Sequence, residues 1–233
     1  MEYINAFWDM IFPKKCINCR KEGSYLCEDC FSLIEINPFR YCLCEKLEKR
    51  EKCDNCKNRS LDKILSAAPF NKILKEAVHK LKYGYIKDMA QPLSLLALTH
   101  LYLIEEKIDN SFIIIPVPLS AKKKRRRGFN QSEEIGKIIS ETTGLSLCLN
   151  GLVKIKENKP QMELNKKERM ENIKNCFWAE KEKVEGRNII LLDDVYTTGS
   201  TMEECAKVLK QSGAKKVYGL TIAREVDQQA YFV

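Results

Sequence analysis

The chain has 233 residues, 44% of them hydrophobic and 31% charged, with a formal net charge of +8. That apolar fraction excludes a wholly disordered chain, and the length suits one ordinary domain plus a small module. The most apolar run, Leu93 to Ile104, contains His100 and is too short to cross a hydrocarbon layer of about 30 Å, so no membrane insertion is expected. The first residues do not form a secretory leader, since Glu2 stands where a basic segment belongs. A cytoplasmic protein is expected, and in that compartment clustered cysteines signify metal rather than disulfides.

The N-terminal run INAFWDMIF (4–12) has the apolar content to dock on the body of the protein or on a partner. Eight of the 11 cysteines follow, between Cys16 and Cys56. Cys16–Cys19 and Cys27–Cys30 are two CxxC pairs separated by seven residues, a spacing that can place four thiolates on one tetrahedral Zn²⁺. A second set, Cys42, Cys44, Cys53 and Cys56, is less regular, because a single spacer between Cys42 and Cys44 narrows the knuckle. This segment is poor in apolar residues, and structural zinc supplies roughly 10–16 kcal/mol of apparent binding free energy. Sites filled by four cysteines leave no open position for catalysis. Cys148, Cys176 and Cys205 are read as small buried hydrophobes. Composition divides the chain near residue 60. Residues 1–60 form an N-terminal helix and zinc-ribbon module, and residues 61–233 form the main domain.

Beyond that division, Lys63–Phe70 reads as an edge strand. Asn71–Gly84 is a helix with its stripe at Ile73, Leu74, Ala77, Val78 and Leu81, and Ile86–Glu106 is a long, mostly buried helix. Ser111–Pro118 is a short buried strand ended by prolines. A basic loop leads to a helix over 130–143, capped by Asn130 or Ser132. Two short strands, a polar helix over 164–177 and a further strand follow. Arg187–Val195 is a buried parallel strand, Ser200–Gln211 is a helix with Met202, Cys205, Ala206 and Leu209 on one face, and Lys215–Ala223 closes the sheet. His79 and His100 fall on helices and are read as packing or surface residues. Strands alternating with helices give an α/β fold with a parallel sheet flanked by helices.

The sharpest chemical signal is IILLDDVYTTGSTM, Ile189 to Met202. Parallel strands present ligands beyond their carboxyl ends, which is where Asp193 and Asp194 fall. Thr197, Thr198, Gly199, Ser200 and Thr201 then open a helix and make an anion site of hydroxyls and backbone N–H groups. A phosphorylated ribose satisfies both halves, with the phosphate on the loop and ring hydroxyls on the carboxylates. A pyrophosphate on the same ligand adds Mg²⁺. The stretch resembles the phosphoribosyl-pyrophosphate (PRPP) signature of type I phosphoribosyltransferases. That resemblance implies ribose binding at Asp193 and Asp194 and 5-phosphate binding at residues 197–201.

Six consecutive cations, Lys122, Lys123, Lys124, Arg125, Arg126 and Arg127, precede Gly128 and Phe129. A solvated charge run is the plain alternative, but a loop beyond a parallel strand faces the ligand edge, where it could hold pyrophosphate or a nucleic-acid backbone. RRRGFNQS resembles the RGFNQ segment of the ComF family, phosphoribosyltransferase-like proteins linked to bacterial DNA uptake. Lys82–Tyr83, the pattern Gln161, Leu164, Arg169, Asn172 and Phe177, the terminal TIAR with Arg224, and N-terminal cysteine ribbons resemble the same family. Cys42–Leu43–Cys44 departs from its usual CxxC. Lys159 and Gln161 suit either a loop covering the ligand or a polar surface turn.

The resemblance implies a type I phosphoribosyltransferase-like sheet and a competence protein that binds PRPP with Mg²⁺. It also implies handling of single-stranded DNA during natural transformation, beside a competence helicase-type partner. An active phosphoribosyltransferase of unknown acceptor and a PRPP-sensing regulator are the other readings. No base-recognition segment is recognisable.

Overall fold

The computed structural model describes residues 13–38, 42–43, 56–157 and 173–225. Cys44, Cys53, the segment 4–12, Lys159, Gln161, Leu164, Arg169, Asn172 and most of the polar helix expected over 164–177 lie outside the described residues.

Five parallel strands make the sheet. They are β1 (Lys63–Pro69), β2 (Phe112–Pro116), β3 (Ser146–Leu147), β6 (Asn188–Tyr196) and β7 (Lys216–Arg224), in the order β1-β7-β6-β2-β3. A two-stranded antiparallel ribbon, β4 (Leu152–Lys154) and β5 (Phe177–Ala179), stands apart from it. The helices are α1 (Glu28–Ser32), α2 (Lys72–Tyr83), α3 (Ala90–Leu103), α4 (Ala121–Arg127), α5 (Gln131–Thr143), α6 (Lys181–Val184) and α7 (Ser200–Gln211). β1 is an edge strand, as its sequence predicts. β7 is not: it lies between β1 and β6. The helix expected over 86–106 begins only at Ala90, after a 3₁₀ turn at Lys87–Met89.

Successive side chains along the central strands go to opposite faces. Ile114, Ile190 and Leu192 enter the core beneath α2, α3 and α5, while Ile113, Ile115, Ile189 and Leu191 enter the core shared with α7 and the ribbon. Burial on both faces explains why the strands read as continuous apolar runs. The cysteine-rich segment contributes to each core, with Cys16, Leu26, Cys27, Cys30 and Ile34 on the first side and Cys42, Leu43, Cys56 and Leu61 on the second. It also covers the β1 edge, where the Asn37 backbone N–H donates to Ala67 O at 2.8 Å and its side-chain amide donates to Ser66 O at 2.9 Å. Asn37 O in turn lies 2.7 Å from Nδ1 of fully buried His100, whereas His79 is exposed.

Gly219 sets how closely α7 approaches the sheet. A Cβ there would lie 2.9 Å from both Ile64 Cδ1 and Met202 Sδ. Gly219→Val therefore overpacks this layer, and urea denaturation is expected to show a loss of about 1–3 kcal/mol with the m-value unchanged.

Candidate functional site

β6 runs on through the carboxylates to Tyr196, one residue beyond the strand expected over 187–195. Asp194 is 6% exposed, and each of its oxygens lies 2.8 Å from Lys82 Nζ at the end of α2. Among the described residues no cation forms such a pair with Asp193. Its Oδ1 accepts from the Ser132 hydroxyl at 3.3 Å and from the Asp194 N–H at 2.8 Å. Burial, then the Asp194 charge, push the Asp193 carboxyl up to about 7; Lys82 and the two hydrogen bonds oppose them.

The turn after Tyr196 enters α7 through Gly199, whose φ is +71°. A Cβ at Gly199 would collide with the Tyr196 hydroxyl and lie 2.9 Å from the ring's Cε2, so the ring packs directly under the turn. Thr198 and Ser200 hydroxyls are 2.8 Å apart at the mouth of α7. The underside is fixed by the cysteine-rich segment. Tyr196 donates to Leu43 O at 3.3 Å, the Arg224 guanidinium stacks 4.9 Å from the Tyr196 ring, and Arg224 Nη2 donates to Cys42 O at 3.2 Å. Glu203 accepts from the Ser60 N–H at 2.6 Å, and Glu204 accepts from the Asn175 N–H at 2.7 Å.

The six cations, expected as a loop, form the helix α4. Ser120 caps its start by accepting from the Lys123 N–H at 3.4 Å, and Gly128 ends it at φ +75°. A helix distributes the six to different sides. Lys123 and Arg127, four apart, line the pocket in front of Asp193 and Asp194, while Lys122, Lys124, Arg125 and Arg126 do not. Arg127 is buried, with Nη2 donating to Tyr83 Oη at 3.1 Å. Asn130 caps α5, accepting from the Ser132 N–H at 3.1 Å and donating to Val117 O at 3.0 Å, which fixes Gln131 and Ser132 at the end of β2.

The pocket holds about 200 Å³. On one side lie Thr197, Thr198, Gly199, Ser200 and Thr201, and on the others Asp193, Asp194, Lys82, Lys123, Arg127, Gln131 and Lys154. The Lys154 ammonium is held below its usual pKa by burial and then by the Lys123 charge, and Lys123 is lowered by burial and then by Arg127. Among the described residues, Arg127 Nε and Gln131 Oε1 are buried without a hydrogen-bond partner. Buried polar groups left unpaired are costly, and here they border the same concentrated positive charge. Sequence reading missed Lys154, Ser132 and Tyr196. Lys154 reaches the pocket only because the β4–β5 ribbon folds over it, for which the sequence has no local signal.

In the N-terminal segment the sulfurs of Cys16, Cys19, Cys27 and Cys30 all lie within 4.8 Å of one another, a set that can hold one metal ion. Burial raises the Cys16 thiol, but the N–H groups of Cys27, Cys19 and Asn18 and the Cys30 thiol outweigh it and bring it to about 6. Thiolate sulfur in this grouping suits Zn²⁺. Of the second set, Cys42 and Cys56 are fully buried, and Cys44 and Cys53 lie outside the described residues. Cys176 and Cys205 are buried, as their sequence surroundings predict, and Cys148 is half-buried. Among the described residues no helix is long and apolar enough to cross a membrane.

The phosphoribosyl transferase domain family matches residues 114–229. The DNA utilization protein YhgH of Escherichia coli (strain K12) is 30% identical over 169 residues, covering 71% of this chain and 74% of that protein. Competence protein F of Haemophilus influenzae is 29% identical over 232 residues, covering 91% of this chain and 98% of that protein. The chain belongs to the ComF family. Competence protein ComFC of Bacillus subtilis is 33% identical over 118 residues, half of this chain and 46% of that protein. The ComF chain described here thus carries a phosphoribosyl transferase domain in a family of competence and DNA utilization proteins. The match begins in β2, so its cysteine-rich segment lies outside the transferase-like part.

Two outcomes follow from the site. From the ordinary Asp value of 3.8 up to about 7, the folded chain keeps a proton on Asp193 that the unfolded chain has released. Stability therefore falls as pH rises through that window. Asp193→Asn is expected to raise the melting temperature at pH 8 and to flatten the decline between the two values. In the N-terminal segment, Cys27→Ser is expected to lower zinc content by one ion per chain, measured by elemental analysis.

Proposed function

We propose that this ComF chain binds PRPP with Mg²⁺ and supports the handling of single-stranded DNA. The observation that carries the PRPP reading is the composition of one pocket. A hydroxyl-rich helix entrance, two carboxylates and the cations Lys123, Arg127 and Lys154 surround a space of about 200 Å³.

Each part matches one part of the ligand. Thr197, Thr198, Ser200 and Thr201, with the backbone N–H groups after Gly199, suit the 5-phosphate. Asp193 and Asp194 suit the ribose hydroxyls, which donate while carboxylates accept. Lys123, Arg127 and Lys154 suit the pyrophosphate, and Gln131 can join them through its amide. Of the six cations in the basic run, only Lys123 and Arg127 are assigned to this ligand. Mg²⁺ fits the same donor set, because it takes hard oxygen ligands and travels with polyphosphates. Asp193 supplies the negative charge for it, since Lys82 is committed to Asp194. The metal would offset the charge between carboxylate and pyrophosphate. The DNA reading is supported by family membership and by the cations of α4 outside the pocket. A helicase-type protein is the partner such a role would use.

A heat-shift assay tests the pocket. PRPP with Mg²⁺ is expected to raise the melting temperature of wild type and to leave Asp193→Ala plus Asp194→Ala unmoved. An equal shift in both would sink the reading. The apparent affinity should also fall as pH drops below about 7, by up to ~10-fold per pH unit, because Asp193 must be ionised to offset Mg²⁺. Titration calorimetry at pH 6 and pH 8 measures that difference.

A further inference from the structure

We propose that Tyr83 and Tyr85, with the side of α4 that carries Lys122 and Arg126, form a stacking site for unpaired nucleotides just outside the PRPP pocket. This rests on the reading that the chain handles single-stranded DNA, and it says where the strand would lie.

The charges come first. Lys123 and Arg127 are turned to the pocket. Lys124 is committed to Glu133, 2.9 Å away. Lys122 and Arg126 stand four apart on the neighbouring face of α4, both exposed, and neither has a salt bridge among the described residues. Glu157 lies at the start of the helix, its Oε1 accepting from the Lys122 N–H at 3.2 Å, but among the described residues no carboxylate bridges the two side chains, and an anion lying across both relieves the repulsion between like charges one helical turn apart. A turn of α-helix rises 5.4 Å, close to the spacing of successive phosphates in a single strand.

Two exposed aromatic rings lie beside these charges. Tyr83 is 46% exposed and Tyr85 is 65% exposed, on either side of Gly84. Tyr85 has a φ of +56°, a conformation ordinarily left to Gly or Asn. The strained residue is held by α4, since the Tyr85 hydroxyl donates to Arg126 O at 3.1 Å. The Arg126 guanidinium is 6.0 Å from the Tyr83 ring centroid, and that of Arg127 is 4.9 Å away. The chain thus uses a glycine and a strained backbone to hold two tyrosines in the open beside exposed cations. The Tyr83 ring already carries these guanidinium groups and packs against His79, 5.0 Å away, so Tyr85 is the more open of the two rings, and a flat π-face beside exposed cations suits an unstacked base and its phosphates. A base pair keeps its faces stacked, so a duplex cannot use the rings. A purely acidic peptide would use the cations and ignore the rings.

The test is fluorescence anisotropy on the full chain with a labelled 20-nucleotide oligo-dT strand and a duplex of equal length, over a salt series. Wild type should bind the strand more tightly than the duplex. Tyr85→Ser should weaken strand binding roughly five- to a hundred-fold, while Tyr85→Phe, which loses the same hydrogen bond but keeps the ring, should stay close to wild type. Lys122→Gln plus Arg126→Gln should reduce the log–log salt slope by about 1.4, two phosphates' worth. All these variants should keep the wild-type heat shift with PRPP and Mg²⁺, which shows that they fold and that the pocket is intact. Strand binding that is unchanged in Tyr85→Ser and in the double variant would place the strand elsewhere and overturn the proposal while leaving the DNA reading standing. Equal affinity for the duplex would overturn it as well. Absence of strand binding in wild type at low salt would remove the DNA reading and the proposal together.

Discussion

Tyr196 is the last residue of β6, and its ring lies directly beneath the turn at Gly199. That close approach fixes the height of the helix entrance above the sheet, and only a residue without a Cβ permits it. The ring cannot retreat, because Arg224 stacks on it from β7 and its hydroxyl reaches Leu43 O. Asp193 and Asp194 precede Tyr196 on the same strand, so their distance from the hydroxyl loop is set by strand geometry rather than by a mobile hinge. A sugar phosphate needs such a fixed separation between ring-binding and phosphate-binding groups, because binding energy lost to ordering a loop would not appear as affinity.

The electrostatics of the pocket are deliberately unbalanced. Lys82 neutralises Asp194 with one nitrogen between two oxygens, and among the described residues nothing comparable serves Asp193. Across the pocket, burial and then the Lys123 charge depress Lys154, and burial and then the Arg127 charge depress Lys123. The free protein therefore holds an unfavourable carboxylate on one wall and crowded cations on another. A ligand that brings hydroxyl donors and a divalent ion to the first and a polyanion to the second relieves both. Strain of this kind, stored before binding, is characteristic of sites shaped for a ligand rather than for stability.

Much of this was legible in the sequence because local signals and tertiary structure agree. Continuous apolar runs predicted the buried strands, and the stripe from Met202 to Leu209 predicted the face of α7. Asp193, Asp194 and Gly199 were legible because a strand end and a helix start are local events. The basic run was misread as a loop, since it offers no apolar stripe to a periodicity argument. Yet Ser120 and Gly128 bracket it with a cap at each end, and Lys and Arg are good helix formers. Weighing those caps would have separated Lys123 and Arg127 from their neighbours. Lys154 and the contacts of Cys42 and Leu43 were illegible for a different reason. They depend on segments about 40 and 150 residues distant in the chain, and no local pattern encodes such a meeting.

The cysteine-rich segment then acquires a meaning that its composition alone does not give. Its residues are too few and too polar to bury a core of their own, and they enter the two cores of the sheet instead. Leu43 and Leu61 share a core with Met202, Cys205 and Leu209 of α7, and the Ser60 N–H is held by Glu203 in the first turn of that helix. Metal binding at cysteines fixes the backbone between them, because thiolate ligands cannot move apart without losing the ion. Cys42, Leu43 and Ser60 reach Arg224, the Tyr196 ring and the first turn of α7 through backbone hydrogen bonds and packed side chains, whereas Cys16, Cys27 and Cys30 pack into the core on the other face of the sheet. The cysteine-rich segment and the underside of the pocket thus share one packed core, so whatever orders Cys42 and Leu43 also steadies the turn at Gly199.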